Sequence, residues 1–387
     1  MKLKQRPDDF QVEEISDVAP SEQGEFALYR LEKKGWTTVD AIHAIRRRWH
    51  LNRGQVSYGG LKDRHAKTAQ YLTIFKGPRR DLQHHTVTLK YLGQVAEPYT
   101  SQNVRANRFA IVLRGIASEK VANTERTLKE IIAEGVPNYF DDQRFGSVGS
   151  DGQFVAKYMV LGDYETALKL ALCAPYAFDR GREKTEKAIL RKHWGDWRQC
   201  KALLQRGHTF KPIDYLISHP ADFRGALVRL PPELGSLYLS AYQSHLWNQV
   251  LASSIRRVCR PDQMVMVGTR LGRLPMHRDL DETQRKTLAD LIVPLPSARV
   301  KIDPSDSLAA TINEVLADEG FKLSEMKLKS IREPFFSKGN RAALLVPADL
   351  RLEFQDDETH GGWKKLILSF ELPRGCYATV IVKRIQC

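Results

Sequence analysis

Strand-like alternation fills both ends of this 387-residue chain and is missing from its middle, which constrains the fold more than any single motif does. Asp9-Phe10-Gln11-Val12-Glu13-Glu14-Ile15 alternates polar and apolar residues, and Phe26-Ala27-Leu28-Tyr29-Arg30-Leu31 does so again. A helix is expected next. Thr37 and Asp40 have the spacing of a capping box, and Val39, Ile42, Ile45 and Trp49 recur at helical intervals. Residues 71–75, 87–91 and 109–116 read as strands, and residues 119–134 as a helix stopped by Gly135. Beyond residue 152 helical patterns dominate, at 156–161, 165–173, 184–193, 237–258, 281–291 and 307–318. Strands are expected again at 341–346, 350–354, 366–372 and 378–385, the last two rich in β-branched residues. A sheet region broken by a helical one predicts an α+β chain in which one domain is inserted into another. The expected parts are 1–151 for the first stretch of the outer domain, 152–340 for an α-rich insert and 341–387 for the closing strands.

Charge narrows the function. Lysine and arginine outnumber the acids enough to leave a net charge of +14, which favours a polyanionic partner. No apolar run reaches the roughly 18 residues of a membrane-spanning helix, and Met1-Lys2-Leu3-Lys4-Gln5-Arg6-Pro7-Asp8 lacks an apolar signal core. The expected compartment is the cytoplasm. Cys173, Cys200, Cys259, Cys376 and Cys387 are scattered with no C-x-x-C pair, so they read as reduced thiols rather than zinc ligands or disulfides.

The chemistry concentrates in Gly60-Leu61-Lys62-Asp63-Arg64-His65-Ala66-Lys67-Thr68-Ala69-Gln70, between the turn Tyr58-Gly59-Gly60 and a strand. Asp63 stands among Lys62, Arg64, Lys67 and His65. Neighbouring cations favour an ionised carboxylate, yet a carboxylate repels the phosphates those cations attract. An acid in that position makes sense if it acts on the bound strand. Three further turn-like segments mix aromatic, Arg and amide residues: Asn107-Arg108-Phe109, residues 135–146 and residues 373–379. That mixture suits stacking on unpaired bases and bonding to their edges, and it equally suits core packing under a polar turn.

Together these segments resemble the TruD family of tRNA pseudouridine synthases. Gly60-x-Lys62-Asp63-x-x-Ala66-x-Thr68-x-Gln70 and Asn138-Tyr139-Phe140-x-x-Gln143-Arg144-Phe145-Gly146 are similar to its two most specific motifs. Weaker likenesses follow in the same order as in the family. They are Pro7-x-Asp9-Phe10-x-Val12-x-Glu14, Ser240-Ala241-Tyr242-Gln243-Ser244-x-Leu246-x-Asn248-Gln249, Arg341-Ala342-x-Leu344-Leu345-x-Pro347 and Gly375-x-x-Ala378-Thr379. The resemblance implies a pseudouridine-synthase catalytic domain on a mixed, mostly antiparallel sheet, interrupted by a TRUD insertion domain. It implies isomerisation of a uridine in tRNA, at position 13 in bacterial members, or in another structured RNA. No cofactor, metal, membrane or obligatory protein partner is implied.

The resemblance also implies roles. Asp63 falls on the catalytic carboxylate. It would act as nucleophile at C1′ or at C6 of the base, or as the base that takes the C2′ proton. Phe109 falls on the aromatic that stacks on the target uracil, and Asn107 precedes it on the same strand side. Lys4 falls on a lysine that pairs with the carboxylate, and Lys383 on a basic residue of the expected final strand. Lys62, Arg64 and His65 would meet phosphates or shape the loop, and Gln143 and Arg144 would buttress the site. Asp141 replaces the family's glycine after Asn-Tyr-Phe, where the aspartate would have to tolerate a left-handed turn. The basic stretch over 155–237, including Arg180, Arg182, Lys184, Lys187, Arg191 and Lys192, is either added RNA surface or a solvated helix face.

Other motifs argue against other classes. There is no P-loop, no G-x-G-x-x-G and no G-x-S-x-G, and His84-His85 has no further ligands at metal spacing. A non-catalytic RNA-binding or RNA-chaperone protein on the same fold is the alternative, and a metal-dependent nuclease is a third reading.

Overall fold

The computed structural model describes residues 1–176, 179–328 and 335–387. Contacts divide the chain into two units, Met1–Val136 with Leu345–Gln386, and Pro137–Leu344 with Cys387. The chain is therefore discontinuous in its first unit. The divisions fall at 136/137 and 344/345, where the sequence pattern suggested 151/152 and 340/341.

The first unit is built on a sheet of strands β1 (Phe10–Ser16), β2 (Phe26–Lys34), β3 (Val56–Tyr58), β4 (Lys67–Phe75), β5 (Leu82–His84), β6 (Val87–Val95), β7 (Val104–Ile116), β8 (Ala348–Asp356) and β9 (Lys364–Pro373). Their order is β8-β9-β7-β1-β4-β2-β6-β5, with β3 on β4. β1 and β4 run parallel, whereas β1·β7, β7·β9 and β2·β4 are antiparallel. Alternation puts Phe10, Val12 and Glu14 on one face, opposite Ile111, Phe109 and Asn107 of β7. The other face carries Glu13, Arg30, Arg108 and Glu371, paired as Arg30–Glu13 at 2.8 Å and Arg108–Glu371 at 2.7 Å.

Helix α1 (Thr38–Trp49) covers the inward face of β2 and β4, where Ala41, Ile42 and Ile45 meet Tyr29, Leu31, Leu72 and Ile74. Leu31, Leu72 and Ile74 are fully buried, and each such side chain contributes about 1.5–3 kcal/mol. The Thr37 hydroxyl accepts from the Asp40 N–H at 3.0 Å and caps the helix. Val39 points outward, 43% exposed, because Ala41 rather than Val39 completes the apolar stripe.

Residues 378–385 are a helix, not a strand. Gly375 at φ 84° ends the run of β9, and α3 (Ala378–Ile385) buries Ala378, Ile381, Val382 and Ile385 at helical spacing. The β-branched run Val380-Ile381-Val382 imitates a strand, but all three side chains are buried in succession, which the alternation of a half-buried strand would not give. Lys383 therefore sits half-buried on a helix. α3 packs on α2 (Val121–Glu134), with Arg384 Nη2 2.5 Å from Glu130.

The second unit centres on the helix Pro232–Val258, which buries Tyr242, Leu246, Trp247 and Leu251. Its amides tie down neighbouring chain. Asn248 donates to the Phe140 carbonyl at 2.8 Å and accepts the Phe140 N–H at 2.9 Å, and Gln243 donates to Pro296 and Ser337. The unit is not wholly helical, since Met264–Thr269 and Gly272–His277 form an antiparallel hairpin. Among the described residues no helix is long and apolar enough to cross a membrane.

Candidate active site

The loop between β3 and β4 is shaped by side chains beneath it. Gln70 Nε2 donates to the Gly60 carbonyl at 2.9 Å, and its Oε1 accepts from the Thr38 hydroxyl at 2.8 Å. That hydroxyl accepts the Lys62 N–H at 2.9 Å. Lys33 Nζ donates to the carbonyls of Trp36 and Asp63 at 2.8 Å and of Lys62 at 3.3 Å. Thr38, Gln70 and Lys33 are all buried, so these bonds form where water does not compete.

Pinning the main chain leaves the Asp63 carboxylate facing Lys4, whose Nζ lies 2.5 Å from Oδ2. The side chains retain 30% and 19% exposure, so the pair is open at one edge. Lys4 Nζ also sits 4.0 Å over the Phe10 ring, a cation–π contact. The segment carrying Lys4 is stapled to β7, where Lys2 and Arg114 exchange backbone hydrogen bonds of 2.7 and 3.0 Å. Arg114 is buried and also binds Asp9, Asp357 and Glu358. Asp9 accepts the Arg6 N–H at 3.0 Å.

Lys62 turns away from Asp63. It pairs with Glu14 at 2.9 Å and donates to Asn107 Oδ1 at 2.5 Å. Glu14 fills the space where β1 and β4 stop pairing and accepts from the Tyr99 hydroxyl at 2.9 Å and the Tyr71 N–H at 3.2 Å. Lys62, Glu14 and Asn107 thus form a second polar group beside the Lys4–Asp63 pair.

Phe109 is 7% exposed. It stacks against Phe370 at 5.6 Å and meets Phe10 edge-on at 6.2 Å. A row Asp63–Lys4–Phe10–Phe109–Phe370 results, with Phe109 as a buried ring rather than an open platform. Arg64 and His65 are exposed on the loop.

Gln143 and Arg144 belong to the second unit, where Gln143 is exposed and Arg144 lies 5.2 Å from the Phe140 ring. The motif around them is knitted internally. Arg341 donates to the Asn138 carbonyl at 2.9 Å and stacks 4.3 Å from Phe140, and Asn138 donates to the Ala342 carbonyl at 3.0 Å. Asp141, where a left-handed turn was expected, has φ −95°, so no glycine is needed there. Asp142 accepts the Arg270 N–H at 2.8 Å. Among the described residues no cluster of three or more His, Cys, Asp or Glu side chains suits a metal ion.

Sequence reasoning passed over Lys33. Its signal was a lysine at the inward position of β2, in register with Ala27, Tyr29 and Leu31. Burial, and secondarily the charge of Lys62, pull its pKa down to about 8, while Asp63 opposes the shift.

The model of the tRNA pseudouridine synthase D (TruD) family matches residues 1–385. The chain is 30% identical to the probable tRNA pseudouridine synthase D 1 of Methanococcus maripaludis, covering 100% of this chain and 99% of that protein. It is 32% identical to the probable tRNA pseudouridine synthase D 2 of Methanocaldococcus jannaschii, covering 99% and 91%. The crystal structure of a putative TruD from Methanosarcina mazei superposes with a TM-score of 0.73 at 26% identity, covering 99% of this chain and 93% of that one. Fold and similarity thus define an RNA-directed isomerase of the pseudouridine synthase class. The chain belongs to the TruD family of tRNA pseudouridine synthases, which isomerise uridine to pseudouridine in tRNA.

Proposed function

We propose that Asp63 is the catalytic carboxylate of this isomerisation and that the uridine at position 13 of tRNA is the target. The observation that carries the reading is the Lys4–Asp63 pair, partly open to solvent on a loop whose main chain is fixed from below. In the reaction the C1′–N1 bond breaks, the uracil turns, a C1′–C5 bond forms, N1 gains a proton and C5 loses one. A carboxylate on a fixed main chain can attack C1′ or C6, or take the C2′ proton, from one position. Lys4 supplies a counter-charge while the strand's phosphates approach. Phe10 and Phe109 wall the site, and Lys62 with Glu14 and Asn107 holds its second side. Arg64 and His65 face solvent where a phosphate backbone would pass. Lys383 contributes positive charge from α3, and Gln143 with Arg144 maintains a turn of the inserted unit. The reading has the enzyme working in the cytoplasm, without cofactor or obligatory protein partner.

Pseudouridine mapping on an unmodified tRNA transcript tests the assignment. Asp63→Asn is expected to abolish product, a loss of at least ~10³-fold, while binding of the tRNA persists. Product formation by that variant at the wild-type rate would remove Asp63 from the chemistry.

A further inference from the structure

We infer that Lys33 is a positioning residue, whose buried ammonium grips the main chain of the Asp63 loop and so fixes where the carboxylate meets the target uridine. The inference rests on the reading of Asp63 as the catalytic group.

The position is an unexpected one for a charge. Lys33 is 1% exposed on β2, and its cross-strand neighbours are Thr68 and Val87. An apolar residue would suit the face that Tyr29 and Leu31 share. Burying an ammonium is unfavourable unless its donors are satisfied, and here the three N–H groups meet three carbonyls, those of Trp36, Lys62 and Asp63. None of these acceptors is a carboxylate, so Lys33 is not the partner of a salt bridge. Two of the three belong to the residue that carries the proposed chemistry and its immediate neighbour. The third leads into α1, whose Thr38 holds the Lys62 N–H. The loop is thus fixed by Gln70, Thr38 and Lys33, and Lys33 alone among these three is ionisable. A displacement of about 1 Å at a reacting group is enough to lower a rate roughly 100-fold.

Losing the proton would cost the ammonium one donor and its charge beneath the loop. Burial has already moved that loss down to about pH 8. The charged groups around it are Asp63 and Lys62 on the loop, Lys4 paired to Asp63, and Glu14 of β1 paired to Lys62. The neighbouring strands β4 and β6 present Thr68 and Val87, which do not titrate, and beyond Val87 the same face carries His84 of β5, whose ring meets Trp36.

Single-turnover rates on an unmodified tRNA transcript, with enzyme saturating, test this from pH 6.5 to 9.5 for wild type, Lys33→Met, Lys33→Arg and Asp63→Asn. The wild-type rate is expected to fall as pH rises through about 8. Lys33→Met should be roughly 10- to 100-fold slower at pH 7, bind tRNA within about twofold of wild type, and lack the inflection. Lys33→Arg, whose charge cannot be removed, should lack it too. A merely structural role would leave the inflection in place in any variant that folds. A flat wild-type profile, or a folded variant of either kind with the wild-type rate and inflection, overturns the inference. If Asp63→Asn turns over, the reading of Asp63 fails. If it is inactive while Lys33→Met matches wild type, only the role of Lys33 fails.

Discussion

Lys4 reaches Asp63 at 2.5 Å from a backbone held at φ 57°, in the left-handed region that residues with a side chain rarely adopt. Such a conformation costs about 1–3 kcal/mol and persists only where surrounding structure enforces it. Here the Lys2–Arg114 bridge on one side and the Arg6–Asp9 bond on the other enforce it. Lys4→Met should keep the fold and lower the single-turnover rate by roughly 10- to 100-fold, read on unmodified tRNA. Lys4→Arg should recover part of that loss. A Lys4→Met enzyme as fast as wild type would make the pair a surface ion pair of no consequence for the reaction.

Arg114 is the other end of that support. Its guanidinium lies between Asp9 and Asp357, both buried, at 2.8 and 3.1 Å. Removing it leaves two carboxylates without their counter-ion. Arg114→Met should destabilise the protein by about 3–5 kcal/mol, measured by urea unfolding. It should also slow catalysis by loosening the N-terminal segment that carries Lys4.

The same cluster should contribute to the acid limit of stability. Burial pushes the Asp357 carboxyl up. The N–H groups of Thr359 and Gly115, with His360 and Arg114, outweigh burial and hold it well below the usual carboxylate range. A carboxylate depressed in the folded state stabilises above its unfolded pKa, and that stabilisation fades as pH falls through the folded value. Asp357→Asn should therefore flatten the decline of stability below about pH 4, followed by unfolding at pH 2–6. An unchanged acid limb would place the loss elsewhere.

How much of this was legible depended on whether a residue's partners lie near it in sequence. β1, β2 and α1 were readable because their alternation is local and each has one buried face. The segment 378–385 was not, because three β-branched residues in a row fit either structure until the buried positions are known. The hairpin at 264–277 escaped notice inside a helical stretch, its turn at Arg270-Leu271 carrying no strong turn pair before Gly272. Asp63 was legible in its own loop as an acid among cations, but Lys4 was found through resemblance, since nothing local joins residues 59 positions apart. Arg114 and Asp357, separated by 243 positions, offered no signal at all. Lys33 did offer one, a charge in an apolar register, which reads as a surface lysine until the sheet is closed around it.

Asn248 serves the inserted unit as Gln70 serves the loop. Its amide satisfies both main-chain groups of Phe140 inside a buried region. Asn248→Leu strands an N–H and a carbonyl, each worth about 1–3 kcal/mol when left without a partner. A loss of roughly 2–5 kcal/mol is expected by urea unfolding, and a change below about 1 kcal/mol would mean that Phe140 finds other partners.

Stability and activity should part company on the alkaline side, and Lys33 is the reason. Its pKa is near 8 in the folded chain, below the ordinary lysine value of 10.5. Between those values the unfolded chain binds the proton more often than the folded one. The unfolding free energy contributed by this group therefore rises with pH across that window. Below about 8 the folded protein bears the cost of a buried ammonium, and above it that cost is relieved. Wild type should gain stability relative to Lys33→Met as pH rises from 8 to 10, by as much as ~2 kcal/mol for a shift of that size. Over the same range its reaction rate should fall, because the relieved group is also the one that has let go of the loop. Paired urea-unfolding and single-turnover measurements on the two proteins resolve the matter. A rate that falls only together with stability would mean that alkaline inactivation is simple unfolding.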